Sequence, residues 1–272
     1  MNLNTILEVK RPKSADEIAH WRTGYAWLAG GTWLFSEPQV HTDTLIDLAA
    51  LRWPALETSA SGLTIAATCT VADLYAFEAP AAWTAGALIG ECCRSFLSSF
   101  KIWNEATVGG NICMSLPAGP MISLTTALEG VYELWPREGE PRRIAGVDFV
   151  TGNNRNVLQP GELLRSIHLP VEALAKTFAF RRSTLTHLGR SAVLMIGTRD
   201  PLTKAILMTI TAATLRPVQL RFEAPPTGQA VREAIDAAVS DDLYLADAHG
   251  SPAYRRHLTY YFAEEIRREL SA

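Results

Sequence analysis

The sequence predicts an α+β protein built from two parts, residues 1–170 and residues 171–272. In the first part, short apolar segments bounded by turn residues alternate with helix-like segments, as in a mixed domain of strands and helices. After the stretch 163–170 the elements become longer, and the chain closes with its clearest amphipathic pattern. These observations favour two successive units, each with strands and helices of its own.

The first part contains candidates for two strands and three helices. The segments 44–48 and 63–67 are apolar and bounded by turns, as short strands are. Thr70 precedes a helix candidate, because its hydroxyl oxygen can accept a hydrogen bond from a free amide of the first turn, where Asp73 adds a favourable negative charge. The segments 82–92 and 121–128 are the other helix candidates.

The second part contains a strand candidate and two helix candidates. The segment 205–211 is partly alternating and β-branched, which predicts a half-buried strand. A helix fits 229–239, where Val231, Ile235 and Val239 recur every fourth residue. The last helix has Ser251 as its N-cap and Pro252 in its first turn. Its apolar face is predicted to be Tyr254, Leu258, Tyr261, Phe262, Ile266 and Leu270. Because the charged residues lie mostly opposite, core packing is favoured over a partner-binding stripe.

Length and composition indicate a globular protein that acts on small molecules or protein partners. Of 272 residues 48% are hydrophobic and 19% charged, and 25 basic against 28 acidic residues leave a net charge of −3. Neither sign forms a dominant block, so nucleic acid and anionic membranes are not predicted as partners. No apolar run is long enough to cross a bilayer, and the first eight residues lack the pattern of a targeting signal, so we expect a cytoplasmic protein.

The cysteine and histidine positions predict neither a disulfide framework nor a metal site. The four cysteines, Cys69, Cys92, Cys93 and Cys113, have spacings that favour small buried side chains. A redox-active pair at Cys92 and Cys93 is the alternative, disfavoured because neighbouring side chains on a helix point in different directions. The histidines, His20, His41, His168, His187, His249 and His257, lack zinc-ligand spacing and argue against a zinc enzyme.

Two glycine runs carry the clearest functional signal. They are Ala29-Gly30-Gly31-Thr32 and Thr107-Val108-Gly109-Gly110-Asn111, and each follows a β-like stretch. Glycine has no Cβ, so consecutive glycines let several amide N–H groups point into one concave space that an anion can approach. The two runs are therefore predicted to cradle one diphosphate cofactor, a dinucleotide, with FAD favoured. The alternatives are plain turns, helix caps at the threonines, and an Asn111 that caps a short helix or adopts a left-handed conformation.

Several motifs, taken together and in this order, resemble one family. They are Trp27-Leu28-Ala29-Gly30-Gly31-Thr32, the run 107–111 with Ile112 after it, Gly161-Glu162-Leu163-Leu164, Ile167-His168-Leu169-Pro170, and Gly250-Ser251-Pro252-Ala253-Tyr254-Arg255-Arg256. In this combination the chain resembles the FAD-binding subunit of molybdenum hydroxylases, a family that includes the medium chains of carbon monoxide dehydrogenase and xanthine dehydrogenase. The resemblance covers nearly the whole chain.

The resemblance implies a particular fold and a particular set of contacts. The fold is a two-part FAD-binding domain of the vanillyl-alcohol-oxidase type, followed by a smaller α+β domain like the C-terminal domain of carbon monoxide dehydrogenase flavoproteins. Leu163 and Leu164 are expected against the flavin, and Arg181 near the isoalloxazine ring. The remaining expected FAD contacts are Ala29, Gly30, Gly31, Thr32, Trp33, Leu34, Thr107, Val108, Gly109, Gly110 and Asn111. No catalytic residue and no metal ligand is implied.

The function implied by the resemblance is that of an oxidoreductase subunit. FAD would take electrons from the iron–sulfur clusters of a [2Fe–2S] small subunit, supplied by a molybdopterin-binding large subunit, and pass them to NAD⁺, a quinone, dioxygen or another acceptor. The redox chemistry then resides in the flavin, and the protein supplies placement and electrostatics. One alternative is a scaffold subunit of the same kind of complex that binds flavin weakly or not at all. A stand-alone flavin oxidase is the other, and ranks last.

Two positions depart from the family pattern. Trp33 stands where an acid or a small polar residue is usual, and its bulky ring either stacks on the cofactor or obstructs it. Pro120 lies in the stretch that, in the family, leads to an aspartate that contacts the sugar or ribityl hydroxyls of the cofactor. Proline supplies neither a carboxylate nor an N–H group. Both departures favour the scaffold alternative.

Overall fold

The computed structural model describes residues 3–18 and 21–272, so Met1, Asn2 and His20 of the sequence predictions lie outside the described residues. The first lobe is a small parallel sheet of three strands, β1 (Glu8–Lys10), β2 (Tyr25–Leu28) and β3 (Thr44–Asp47), with β3 in the middle. The strand predicted at 44–48 is confirmed as β3. The first glycine run leaves this sheet at the end of β2.

The second lobe is built on an antiparallel sheet of five strands in the order β4-β5-β10-β6-β7. These strands are β4 (Leu56–Ser59), β5 (Gly62–Ala66), β6 (Val131–Trp135), β7 (Arg142–Ala145) and β10 (Leu163–Pro170). A short hairpin of β8 (Val150–Gly152) and β9 (Arg155–Asn156) precedes the central strand. The strand predicted at 63–67 is confirmed as β5.

Short helices cover this lobe. They are α1 (Val71–Tyr75), α2 (Ala87–Ser95), α3 (Phe100–Trp103), α4 (Val108–Met114), α5 (Pro120–Ala127), α6 (Gly146–Phe149) and α7 (Val171–Leu174). The Thr70 cap is confirmed, since its hydroxyl oxygen accepts a hydrogen bond from the Asp73 amide at 3.0 Å. The helix predicted at 82–92 begins later, at Ala87, because the amides of Trp83 and Gly86 bond to carbonyls three residues back and form turns.

The C-terminal part is a four-stranded antiparallel sheet in chain order with two helices. Its strands are β11 (Thr177–Thr184), β12 (Ser191–Arg199), β13 (Ile206–Thr211) and β14 (Val218–Phe222), and its helices are α8 (Gly228–Ala238) and α9 (Pro252–Ser271). The strand predicted at 205–211 is β13, but all its residues are buried, not half of them. The reason is that α9 packs on one face of this sheet and α5 of the second lobe on the other.

This double packing links the two parts of the chain. Along β12, Val193 and Met195 belong to the core under α9, whereas Leu194 and Ile196 belong to the core of the second lobe. The hydroxyls of Ser123 and Thr211 hydrogen-bond at 2.7 Å across the contact between α5 and β13. The boundary at residue 170 stays a prediction.

Helix α9 begins as predicted, with the Ser251 hydroxyl accepting a hydrogen bond from the Tyr254 amide at 3.3 Å. Its predicted apolar face is confirmed at Phe262, Ile266 and Leu270, which are buried. The prediction is wrong at Tyr261, which is 52% exposed, and it left out Arg255, Thr259 and Ala263, which are fully buried. The spacing of apolar residues predicts an exposed Arg255, because it carries no information about acceptors for a buried guanidinium.

The cysteines are free, and Cys69, Cys92 and Cys93 are buried, which confirms their interpretation as small core side chains. Burial raises the pKa of the Cys69 and Cys93 thiols to about 12, which disfavours the reactive thiolate. Among residues 3–18 and 21–272, no helix has the length and apolar character that a bilayer span requires.

Candidate functional site

A cavity of about 760 Å³ lies where the two lobes and the C-terminal sheet meet. The first lobe contributes Trp27 and 29–34 to its wall, and the C-terminal part contributes 190–191 and 245–249. The second lobe contributes 95–98, Ile102, 106–107, 110–111, 113–114, 116–120 and Asn153. The structure therefore brings both glycine runs to one cavity.

Gly30 is the point where the two runs touch. A Cβ atom built on Gly30 would lie 1.6 Å from the carbonyl oxygen of Glu105, two residues before Thr107. Because a backbone carbonyl cannot rotate away as a side chain can, only glycine permits this approach. The first run is thereby held against the segment that leads into the second.

The first run presents amides that the protein leaves free. Gly31 has a φ of +68°, and the chain then makes a single helical turn in which the Phe35 amide donates to the Gly31 carbonyl at 2.8 Å. In the described part of the chain, the N–H groups of Thr32, Trp33 and Leu34 have no protein acceptor. All three residues line the cavity. Successive unpaired amides of this kind form an anion-binding concavity.

The second run is the start of a helix, not an open loop. The Val108 amide donates to the Cys69 carbonyl at 2.8 Å and the Gly109 amide to the Ala67 carbonyl at 2.9 Å. The Gly110 amide donates to the Thr107 hydroxyl oxygen, the N-cap of α4, at 3.0 Å. The expectation that these amides are open to an anion is therefore wrong, because the protein already supplies their acceptors.

The second run still contributes side chains to the cavity wall. Thr107, Gly110 and Asn111 line it, whereas Val108 and Gly109 are buried behind it. The Asn111 Oδ1 atom accepts a hydrogen bond from the Met121 amide at 3.1 Å and so caps α5, which is one of the alternatives that the sequence left open. Its Nδ2 atom has no partner among the described residues and remains a free donor.

Besides Val108 and Gly109, three further predicted contacts lie outside the cavity lining. Leu163 and Leu164 are 6% and 3% exposed in β10. Arg181 pairs with Glu265 at 3.0 Å and Glu269 at 2.6 Å on α9. Burial alone would lower the pKa of Arg181, but the two carboxylates raise it, as expected of a structural ion pair. Direct contact of these residues with the cofactor stays a prediction.

Both departures from the family pattern lie on the cavity wall. Trp33 lines the cavity, and its ring makes no ring-to-ring contact with another aromatic side chain among the described residues. Pro120 is the first residue of α5, and the amide of its neighbour Met121 donates a hydrogen bond to Asn111 Oδ1. In the described lining, the wall of 116–120 therefore supplies no carboxylate.

The C-terminal part lines the cavity with residues 190–191 and 245–249, which are called the C-terminal wall. This wall was not predicted from the sequence, and no motif marks it. Arg190 is exposed, and within the described residues its side chain has no ion pair or hydrogen bond. Asp247 pairs with Arg255, while the His249 imidazole has no partner in the same part of the chain. No group of three or more potential metal-ligating side chains occurs among residues 3–18 and 21–272. Arg190 thus adds an uncompensated positive charge to the cavity.

Comparisons with known proteins agree on one family. The profile of a family described as "FAD binding domain in molybdopterin dehydrogenase" matches residues 5–172. The medium chain of carbon monoxide dehydrogenase from Afipia carboxidovorans is 34% identical over 76 residues, which are 28% of this chain and 26% of that one. Caffeine dehydrogenase subunit beta from Pseudomonas sp. (strain CBB1) is 29% identical over 116 residues, or 42% of this chain and 39% of that one. The matches thus span less than half of these curated relatives.

The fold matches over nearly the whole chain. A chain of carbon monoxide dehydrogenase from Hydrogenophaga pseudoflava superposes with a TM-score of 0.80 at 20% identity, covering 98% of this chain and 99% of that one. At this level of identity the match shows the fold alone, and it confirms the predicted α+β class with its FAD-binding type of first domain.

Proposed function

Because this chain belongs to the family of FAD binding domains in molybdopterin dehydrogenases, we propose that it is the flavoprotein subunit of a molybdenum hydroxylase complex. Membership in the family confirms the resemblance drawn from the sequence motifs.

The observation that carries the proposal is the set of three free amide N–H groups in and after the first glycine run. The N–H groups of Thr32, Trp33 and Leu34 line a cavity of about 760 Å³ and have no acceptor in the described residues. A cavity of that size lies in the range of cofactor sites, and successive unpaired amide N–H groups favour an anionic ligand. The diphosphate of FAD has the required charge and hydrogen-bond acceptors.

The residues present would divide the work of holding FAD. The first run would bind the diphosphate through its amides, and Arg190 would add positive charge from the C-terminal wall. Asn111 would donate through Nδ2. The aromatic rings of Trp27, Trp33 and Phe96 supply apolar surface to the same cavity. The second run would act by shaping the wall, because its first amides are already bonded.

When bound, FAD supplies reversible acceptance and release of electrons, and the chain would carry them from the iron–sulfur clusters of a partner to a terminal acceptor such as NAD⁺. The partners would be a molybdopterin-binding large subunit and a [2Fe–2S] small subunit, as the resemblance drawn from the sequence implies. The names of two relatives, a medium chain and a subunit beta, mark those proteins as single chains of larger enzymes. A cytoplasmic location stays a prediction from the sequence, which fractionation of cells expressing the tagged chain would test.

Purification of the chain from its native cells tests cofactor and partners together. The expected result is a yellow preparation whose extracted flavin is FAD and whose co-purifying chains contain molybdenum and iron. A colourless chain that co-purifies with the metal-containing partners and takes up no added FAD would establish the scaffold alternative instead. Substrate oxidation by the purified chain alone would favour the stand-alone oxidase.

Neutralising Arg190 is expected to weaken FAD binding. Arg190→Gln should raise the Kd for FAD about fivefold, or about 1 kcal/mol, because solvent screens the attraction between an exposed arginine and an anion. Arg190→Lys should retain part of the affinity. Arg143→Gln, whose side chain is 77% exposed outside the cavity, is the charge-matched control. The measurement is a fluorescence titration at two salt concentrations, and an unchanged Kd for Arg190→Gln would exclude a role for Arg190.

A further inference from the structure

Arg255 is a fully buried arginine whose guanidinium is almost completely hydrogen-bonded. It lies in the first turns of α9 and is 0% exposed, yet it does not line the cavity. Its Nε atom donates to the Gly250 carbonyl at 3.2 Å, and one Nη1 atom donates both to the Ala192 carbonyl and, at 2.6 Å, to the Ala212 carbonyl. Its Nη2 atom donates to Asp247 Oδ1 at 2.5 Å. Four of the five N–H groups of the guanidinium are thus engaged.

The acceptors of Arg255 belong to the segments that build the C-terminal wall. Ala192 directly follows Arg190 and Ser191, which line the cavity. Asp247 is itself a lining residue, and its Oδ1 atom also accepts a hydrogen bond from the His249 amide at 2.8 Å. One buried side chain therefore ties both stretches of this wall to the helix behind them.

Ala212 extends this connection to the second lobe. Its carbonyl accepts from Arg255, while its amide donates to the carbonyl of the lining residue Pro117 at 2.8 Å. Ala212 has a φ of +63°, a left-handed conformation that alanine disfavours. The backbone at this point is held by its two hydrogen bonds and not by local preference. The position of the C-terminal wall relative to the Pro117 segment thus depends on Arg255.

The burial of this charge needs all of its acceptors. Asp247 is the carboxylate partner of Arg255, and within the described residues no second acidic side chain pairs with it. A buried guanidinium that loses acceptors leaves unsatisfied donors, so the surrounding segments must shift to readmit water. If Arg255 is replaced, the backbone should loosen first at 190–192 and 245–250, because these segments supply acceptors of its guanidinium.

We propose that Arg255 is a positioning residue for the cofactor cavity, which sets the place of the C-terminal wall against the second lobe. The identity of the ligand as FAD rests on the proposed function, whereas the mechanical role of Arg255 does not. The consequence is that FAD affinity depends on a side chain that does not line the cavity.

The test compares Arg255→Gln and Arg255→Lys with Arg256→Gln in the same chain. Arg256 is the neighbouring helix residue, with a side chain 47% exposed and paired with Asp236 and Asp241 outside the cavity. Arg255→Gln should raise the Kd for FAD about tenfold, which is within the range by which residues without ligand contact change a binding affinity. In the ligand-free protein, hydrogen exchange should quicken at 190–192 and 245–250 while the amides of β5 and β10 keep their protection. Arg255→Lys should recover part of both effects because an ammonium group can reach some of the same acceptors.

The outcomes separate a positioning role from a merely structural one. A lower melting temperature in Arg255→Gln, with a Kd within twofold of the parent and unchanged local exchange, would overturn the proposal. If Arg255→Gln does not fold, Asp247→Ala removes the carboxylate partner together with the acceptor of the His249 amide. The exchange is then read at 190–192, which in the described part of the chain has no hydrogen bond to Asp247, and unchanged exchange there would count equally against the proposal. If the parent chain binds no FAD, the proposed function fails, and the exchange measurement still decides the role of Arg255.

Discussion

Replacing Gly30 with alanine is expected to weaken FAD binding about 100-fold, which corresponds to roughly 2.7 kcal/mol. A Cβ at this position would lie 1.6 Å from the Glu105 carbonyl oxygen and 3.2 Å from the Ala106 amide nitrogen. Neither backbone atom can rotate aside, so the first glycine run must move away from the second lobe. The free amides of Thr32 to Leu34 would then no longer face the rest of the cavity.

The measurement for Gly30→Ala is an FAD titration followed by thermal unfolding. The strands and helices of the second lobe do not depend on the run, so we expect the chain to fold with a modestly lower melting temperature. Gly152→Ala is the matched control, because its Cβ would meet nothing closer than a flexible Arg155 side-chain atom at 3.6 Å. A folded Gly30→Ala chain with the parent's Kd would show that the first run does not hold the cofactor.

Replacing Glu162 with alanine is expected to lower the free energy of unfolding by about 2 kcal/mol, because it removes a buried carboxylate that accepts three hydrogen bonds. Its partner Arg142 is 42% exposed and can return to water, which limits the loss. The Glu162 side chain is 2% exposed and accepts hydrogen bonds from Arg142 Nε at 2.6 Å, from Arg142 Nη2 at 2.8 Å and from the Gln159 amide at 3.0 Å. The backbone carbonyl of Glu162 also accepts the indole N–H of Trp27, a lining residue. Chemical denaturation measures the loss, and Glu140→Ala, at an exposed position, should change the unfolding free energy by less than about 0.5 kcal/mol.

The same carboxylate predicts how stability depends on pH. Burial alone would raise the pKa of Glu162, but the hydrogen bonds from Arg142 and from the Gln159 amide hold it below its ordinary value of 4.5. Its stabilising contribution is therefore complete above pH 4.5 and is lost as the pH falls through the lower pKa of the folded state. Glu162→Gln should reduce the acid dependence of unfolding in that range. An unaltered acid dependence in this variant would contradict the assignment.

Local patterns in the sequence predicted the features that depend on nearby residues. The Thr70 and Ser251 caps are correct, because a cap is a hydrogen bond between residues three positions apart. Strands β3 and β5 were found from short apolar segments bounded by turns. The late start of α2 at Ala87 was missed, since turns and helices share the same residues at their boundary.

The candidate site was predicted in part for the same reason. Glycine pairs signal that the backbone comes close to something, and Gly30 does approach the Glu105 carbonyl. They do not reveal what the adjacent amides bond to. The amides of Val108 and Gly109 donate to the carbonyls of Cys69 and Ala67, which are distant in sequence. The sequence of the second run therefore resembles an anion-binding loop, although these amides already have protein acceptors. Gly110 likewise has no positive φ, because it lies inside the first turn of α4.

Residue types and their spacing were enough to predict the family, the α+β class, the buried Cys69, Cys92 and Cys93, and the two glycine runs from which a cavity could be expected. The folded chain was needed to show which run keeps free amides, that Arg190 and the segment 245–249 line the cavity, and that Arg255 is buried. The physical reason is that caps and periodic faces are set by neighbours along the chain, whereas the acceptors of an amide or a guanidinium can come from any segment that folding brings near.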